Sequence, residues 1–303
     1  MDNLIPLTFK EGQAMIKIKR KIYGLALTLI FPLFITGCIN STPKTAVTGK
    51  IYLGESGLGV CEAKVSIGSS LVTTDQNGNL TTTGIKDGTH EVIATSHIGN
   101  GKTEIIVNSN QNMSFELKIP YPEPWVEKEF SEISLFNGEV ICRWDKPKNL
   151  TYYFDSSCST ILKANYRKTF QDVQQTLNNF FTFSETTNSE AHLIIKETDL
   201  ISGGIGASGL CTVRHKNNIL TKATIEIDSR YTNSIPTRIH ELGHALGMGH
   251  SPNSNHIMYP YSNATTEFTP EEINYLKGIY SLKVGPRTFS QITTDSEGTI
   301  TVY

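Results

Sequence analysis

The sequence predicts two folded parts, an N-terminal all-β sandwich and a C-terminal α+β domain of a twisted sheet with helices. Three observations carry this prediction. Short β-type runs separated by turn clusters fill Val47 to Ile119, and strands mixed with helical periodicity follow from Arg143. The length, 303 residues and 33.5 kDa, also exceeds one domain of ~150 residues. With 38% hydrophobic and 18% charged residues, each part has material for a core, and the composition is not that of a disordered chain. A formal net charge of −2 provides no basic footprint for nucleic acid. The mean hydropathy of −0.22 excludes a polytopic membrane protein.

One apolar stretch stands apart. Lys17, Lys19, Arg20 and Lys21 precede an apolar run, 22–35, interrupted only by Gly24, Thr28 and Pro32. Basic residues ahead of ~7–15 apolar ones describe an export signal, and the run is short of the ~20 residues a spanning helix needs. It ends in Ile35-Thr36-Gly37-Cys38, which resembles the lipobox of bacterial lipoproteins. The resemblance implies cleavage before Cys38, lipidation of its thiol and new amino group, and anchoring to a membrane without spanning it. It places the protein in the bacterial cell envelope, on the extracytoplasmic side. Ile39, where an Asp would signal inner-membrane retention, favours the outer membrane or cell surface. Met15 lies just before the basic residues, so 1–14 reads as an upstream start-site extension of the signal 1–37.

Residues 38–46 read as the lipidated Cys and a polar tether. The sandwich, 47–119, takes its expected strands from Val47–Leu53, Ala63–Ile67, His90–Thr95, Thr103–Val107 and Ser114–Ile119, all antiparallel. The turn Thr74-Asp75-Gln76-Asn77-Gly78-Asn79-Leu80 and the run Ile85 to Val92 resemble the carboxypeptidase regulatory-like (transthyretin-like) domain, with His90 where a Tyr is usual. That resemblance implies a fold and no activity. Pro120, Pro122 and Pro124, alternating with Tyr121, Glu123 and Trp125, suggest an extended, stiff start to a Pro-rich linker, 120–142, in which Glu127 to Val140 is ambiguous.

In the second part, 143–282, Tyr152–Phe154, Ala191–Lys196 and Ala223–Asp228 read as strands. A helix is expected from Ile161 to Phe181, where Tyr166, Phe170, Val173, Leu177 and Phe180 fall at helical spacing. Thr269-Pro270-Glu271-Glu272 joins an N-cap, a first-turn Pro and a capping-box Glu, so a helix starts there. The tail, 283–303, is left open as a hairpin or an irregular segment.

Chemistry concentrates in His240-Glu241-Leu242-Gly243-His244-Ala245-Leu246-Gly247-Met248-Gly249-His250. Residues four apart share a helix face, so His240 and His244 can direct two imidazole nitrogens at one ion. Zinc takes such ligands tetrahedrally and, when catalytic, keeps one position for water. Glu241 stands beside a ligand, where a base for that water is needed. Gly247 can end the helix with positive φ, returning the chain so that His250 becomes a third ligand.

This pattern is the signature of the metzincin metalloproteases, and Ile257-Met258-Tyr259-Pro260 resembles their Met-turn, which places Met258 beneath the metal. Leu246 to Ser251, the Met-Tyr-Pro turn, Thr269 to Ile273 and the stretch Arg143 to Tyr152 resemble the matrixin (matrix-metalloprotease-like) branch. The resemblance implies one catalytic Zn2+, a protein or peptide substrate, and Glu241 as the catalytic residue. Astacins and serralysins carry a metal-binding Tyr two places after the Met; here that place is Pro260, so Tyr259 is not taken as a ligand. In metzincins the substrate lies antiparallel to an edge strand, for which Ala223–Asp228 is the candidate. Animal matrixins bind calcium and a second zinc before the active-site helix. The spacing of His192, Asp199 and His215 does not match, so neither ion is carried over. Their pro-domain blocks the zinc with a Cys, and Cys142 is the candidate for such a latency switch here.

Cys61, Cys142, Cys158 and Cys211 remain as an even set in an exported chain. Three pairings are open, with Cys158–Cys211 the expected bridge. His256, off ligand spacing, reads as a surface residue. The competing function is a non-catalytic surface binding protein or adhesin on the same fold. Zinc capture for transport would call for His-rich loops, which the chain lacks. Oligomeric state is not legible.

Overall fold

Alternation of apolar and polar residues builds the first half, burying Val47, Ile51 and Leu53 of the first strand on one side. The computed structural model describes residues 45–302 apart from 110, 135–139, 148, 262–263 and 287–296. The expected signal, Cys38 and most of the tether lie outside these. Eight strands follow in order: β1 (Ala46–Leu53), β2 (Leu58–Gly59), β3 (Lys64–Ile67), β4 (Ser70–Thr73), β5 (Asn79–Thr83), β6 (Gly88–Ser96), β7 (Gly99–Val107) and β8 (Met113–Ile119). One sheet pairs β1 with β2 and β5; the other has the order β4-β3-β6-β7. The expectation of a wholly antiparallel sandwich needs correcting at one edge. After β7 the chain crosses to the first sheet, and β8 joins β1 in parallel.

Among its described residues, the segment expected to be a linker carries regular structure in part. It holds α1 (Glu127–Ile133), whose Phe130 and Ile133 are buried, and β9 (Val140–Ile141). Trp125 joins the two halves: its ring stacks on Tyr121 at 5.2 Å and meets Phe130 at 4.4 Å and Tyr275 at 5.1 Å. Beyond lie β10 (Asn149–Phe154), α2 (Thr160–Thr176), β11 (Thr182–Glu185), β12 (Leu193–Thr198), β13 (Gly209–Lys216), β14 (Ile219–Asp228), α3 (Ile235–Ala245), α4 (Pro270–Ser281), β15 (Gly285–Pro286) and β16 (Glu297–Val302). Helix α2 stops short of Phe181 because Asn178 and Asn179 adopt φ of 49° and 57°, a left-handed conformation that Asn tolerates. At α4 both bonds of the expected capping box are present.

The large sheet has the order β11-β10-β12-β14-β13-β16. Ala223–Asp228 is therefore not an edge: β14 runs between β12 and β13. The tail forms no hairpin among the described residues. Its β15 pairs with β9, and β16 pairs antiparallel with β13 from Cys211↔Val302 to Lys216↔Glu297. Only Gly209 and Leu210 of β13 extend past that cover.

All four described cysteines are free and buried, so the expected Cys158–Cys211 bridge is absent. The Cys158 thiol donates to the Ile195 carbonyl on β12 at 3.1 Å, whereas Cys211 lies two strands away on β13. Two strand spacings are about 10 Å, beyond the ~7 Å Cα separation a disulfide spans.

Pro43–Tyr303 is one compact unit. The Cys61 N–H donates to the Ser281 carbonyl at 2.9 Å, and the buried Arg143 guanidinium donates to Leu282 O at 3.2 Å and Cys61 Sγ at 3.5 Å. Phe130→Ala is expected to destabilise this unit by about 3–5 kcal/mol, the cost of a truncated buried aromatic. Urea unfolding should keep a single transition, whereas two separated transitions would mean the sandwich unfolds independently.

Candidate metal centre

Helix α3 begins where Ser234 Oγ accepts the Thr237 N–H at 3.3 Å, with Pro236 in the first turn. Ile239, Leu242, Ala245 and Leu246 bury its apolar face, leaving His240 and His244 together on another. The helix closes at Leu246, and Gly247 takes φ +103°. A Cβ there would run into the Cys142 carbonyl, so shape and dihedral both demand glycine. The reversed chain brings the His250 ring to 5.3 Å from that of His240 and 4.8 Å from that of His244. One nitrogen from each of the three lies within 4.8 Å of the others.

The tautomers of two ligands follow from their partners. His240 Nδ1 faces the Ile257 carbonyl at 2.7 Å and His244 Nδ1 the Met248 carbonyl at 2.8 Å. A carbonyl only accepts, so both Nδ1 atoms carry the proton and both Nε2 atoms present lone pairs. Those Nε2 atoms are 3.0 Å apart. Burial lowers the pKa of His240. It also holds His244 well below the ordinary value, helped by the neighbouring His240 and His250. Neutral imidazoles with converging lone pairs suit a cation.

Glu241 follows the first ligand and is buried; burial raises its carboxyl well above the ordinary value. Its Oε2 has no hydrogen-bond partner. A buried carboxylate oxygen without a partner, next in sequence to the first imidazole and lining the same cavity, fits a metal with an attached water.

Met258 is fully buried beside α3, and Gly243 is what lets it approach: a Cβ at Gly243 would overlap its sulfur. Its turn is held by Glu272 of α4, whose carboxylate accepts the N–H of Met258 at 2.9 Å and of Ile257 at 3.2 Å. That turn's Ile257 carbonyl orients His240, so Glu272 is linked through one peptide to a ligand. The capping box marks Glu272 as a helix start but does not reveal this second task.

The structure does not bring every candidate to the centre. The Cys142 thiol is buried 3.9 Å from Asn218 Oδ1, outside the ligand group, and burial pushes its pKa up to about 12. The structure therefore does not bring the latency candidate to the three histidines. His192 bonds Thr151 and Asp199 pairs with Arg230, while His215 lies on β13. His256 is buried rather than exposed.

Beside His240 and Glu241 opens a cavity of about 330 Å³, whose further walls include Ile201, Tyr231, Tyr259 and Tyr261. Two of these walls hang on Asp228 at the end of β14. Its carboxylate accepts the Ile201 N–H at 3.0 Å, and the Arg230 N–H and guanidinium at 2.9–3.0 Å. The Arg230 hydrogen bonds hold it well below the usual carboxylate range.

Comparison with known families matches residues 211–281, from β13 through α4, to Matrixin. No curated protein matches the chain. A matrixin-type segment with this His triad carries one catalytic Zn2+ and the chemistry of a zinc metallopeptidase.

Asp228→Asn is expected to cost about 1–3 kcal/mol at pH 7 by removing charge-assisted hydrogen bonds. A depressed folded-state pKa stabilises above the unfolded value of ~3.9 and is lost as pH falls through the folded value. The gap between wild type and variant in urea unfolding should hold at pH 5–8 and close below about pH 4.

Proposed function

We propose that the protein is a zinc-dependent metalloendopeptidase that cuts extracytoplasmic proteins while a lipidated Cys38 holds it to a bacterial membrane. The three convergent imidazoles, with the orphaned Oε2 of Glu241 on the residue next to the first of them, carry the enzymatic part of this reading. When bound, zinc supplies a Lewis acid that lowers the pKa of a water to ~7 and polarises a carbonyl. Glu241 takes the proton of the attacking water at Oε2 and delivers it to the departing amine. His240 and His244 keep their orientation because Ile257 and Met248 carbonyls hold their Nδ1–H groups. The cavity beside Glu241 receives a substrate side chain, and Ile201, Tyr231, Tyr259 and Tyr261 make that side chain an uncharged one. A binding protein without turnover would have no use for a buried Glu241. No described helix is long and apolar enough to cross a membrane; the anchor rests on the lipobox-like Ile35–Cys38.

The chain lacking residues 1–38, incubated with a peptide library, should make internal cuts. Glu241→Ala at matched zinc content should be slower by about 10²–10⁴-fold. Equal cutting by both, or none by a folded wild type holding one zinc, would overturn the enzymatic reading. In the full chain, Cys38→Ser should move the protein from the membrane to the soluble fraction. A variant that stays with the membrane would remove the anchor from the proposal.

A further inference from the structure

The third ligand, His250, lies on a loop rather than on α3, so something other than the helix must fix it. The loop is closed on itself where the Ser251 N–H donates to the Met258 carbonyl at 2.8 Å. Inside that closure Ser251 Oγ meets His256 Nδ1 at 2.7 Å and accepts the Asn253 N–H at 3.2 Å. Two further ties come from α1, far upstream in sequence. The Gly249 N–H, next to the ligand, donates to the Ile133 carbonyl at 2.8 Å. The Glu129 carboxylate accepts Asn253 Nδ2 at 3.1 Å and the Tyr275 hydroxyl at 3.0 Å, with His256 Nε2 at 3.7 Å.

We infer that Glu129 is a positioning residue of the metal centre, clamping the loop that presents His250 through Asn253. Geometry supports a metal-directed role over simple packing. Glu129 accepts a hydrogen bond from Asn253 of the closed loop, and the Tyr275 hydroxyl of α4 fixes its second oxygen. Asn253 belongs to the stretch between the third ligand and Met258. Helix α1 lies outside the matched 211–281 segment, so the metallopeptidase signature is completed by a residue that segment does not contain. Loss of a group bonded directly to a metal ligand costs about 10–100-fold in metal affinity or activity; Glu129 acts one contact further out, through the loop, so its effect falls towards the lower end.

The inference rests on the zinc-peptidase reading for its kinetic readout, while its metal readout stands apart from turnover. In the full chain, Glu129→Ala and the near-isosteric Glu129→Gln would be compared with wild type and with Glu132→Ala, an exposed acid on the same helix. Zinc affinity would be measured by chelator competition, the ligand field by the visible spectrum of the cobalt-substituted protein, and kcat and KM on a cleaved peptide. Glu129→Ala should bind zinc more weakly, by up to about tenfold, with an altered cobalt spectrum and a lower kcat at unchanged KM. Glu129→Gln, which keeps an acceptor towards Asn253, should recover part of each, and Glu132→Ala should match wild type. If Glu129→Ala does not fold, Glu129→Gln decides the matter and should lie measurably below wild type in zinc affinity. Wild-type affinity and cobalt spectra in the folded variants, whatever their melting temperature, would overturn the inference. If wild type binds zinc but cuts nothing, the peptidase reading fails while zinc affinity still decides the role of Glu129.

Discussion

Two imidazole lone pairs held 3.0 Å apart and facing one another repel unless a cation lies between them. The protein sustains that conflict by denying both rings an alternative. Each Nδ1–H is committed to a backbone carbonyl, so neither ring can flip its tautomer to place a hydrogen between the Nε2 atoms. Those carbonyls belong to Ile257 and Met248, so the loop after α3 must be as rigid as the helix itself. The glycine turn, the buried methionine and the carboxylate of Glu272 all serve that one requirement.

Rigidity of this kind cannot come from the motif alone. The eleven residues from His240 to His250 supply ligands, base and turn, but their support arrives from elsewhere in the chain: α4 through Glu272, α1 through Ile133 and Glu129, and the Cys142 backbone against Gly247. The sandwich connects to the same scaffold, since Tyr121, Trp125, Phe130 and Tyr275 form one aromatic run from its exit to α4. A metal site with short-range ligands is thus fixed by long-range contacts.

That contrast explains what the amino-acid sequence discloses and what it hides. His240, His244, Glu241 and Gly247 are legible because helix periodicity and glycine's left-handed conformation are local rules; so are the cap at Thr269 and the strands of the sandwich core. The edge assigned to Ala223–Asp228 failed because β13, entered from a glycine-rich loop, gives little signal of its own, and strand order depends on pairings across the chain. Helix α1 is hidden behind three prolines and spans only two turns, so its charged residues read as linker. His256 read as exposed because its spacing says nothing of Ser251 and Asn253, which meet its two ring nitrogens in the interior. The cysteine pairing failed similarly: an even count constrains chemistry, not distance.

The antiparallel strand β16 has a consequence of a different order. A sheet ending in β13 would offer a row of unpaired amides and carbonyls from Cys211 to Lys216, a template on which a second chain could add its own strand. Covering that row from within the same chain satisfies those groups intramolecularly. With β13 already paired, its own amides and carbonyls are closed to a second chain, and the open edge on this flank passes to the six residues of β16.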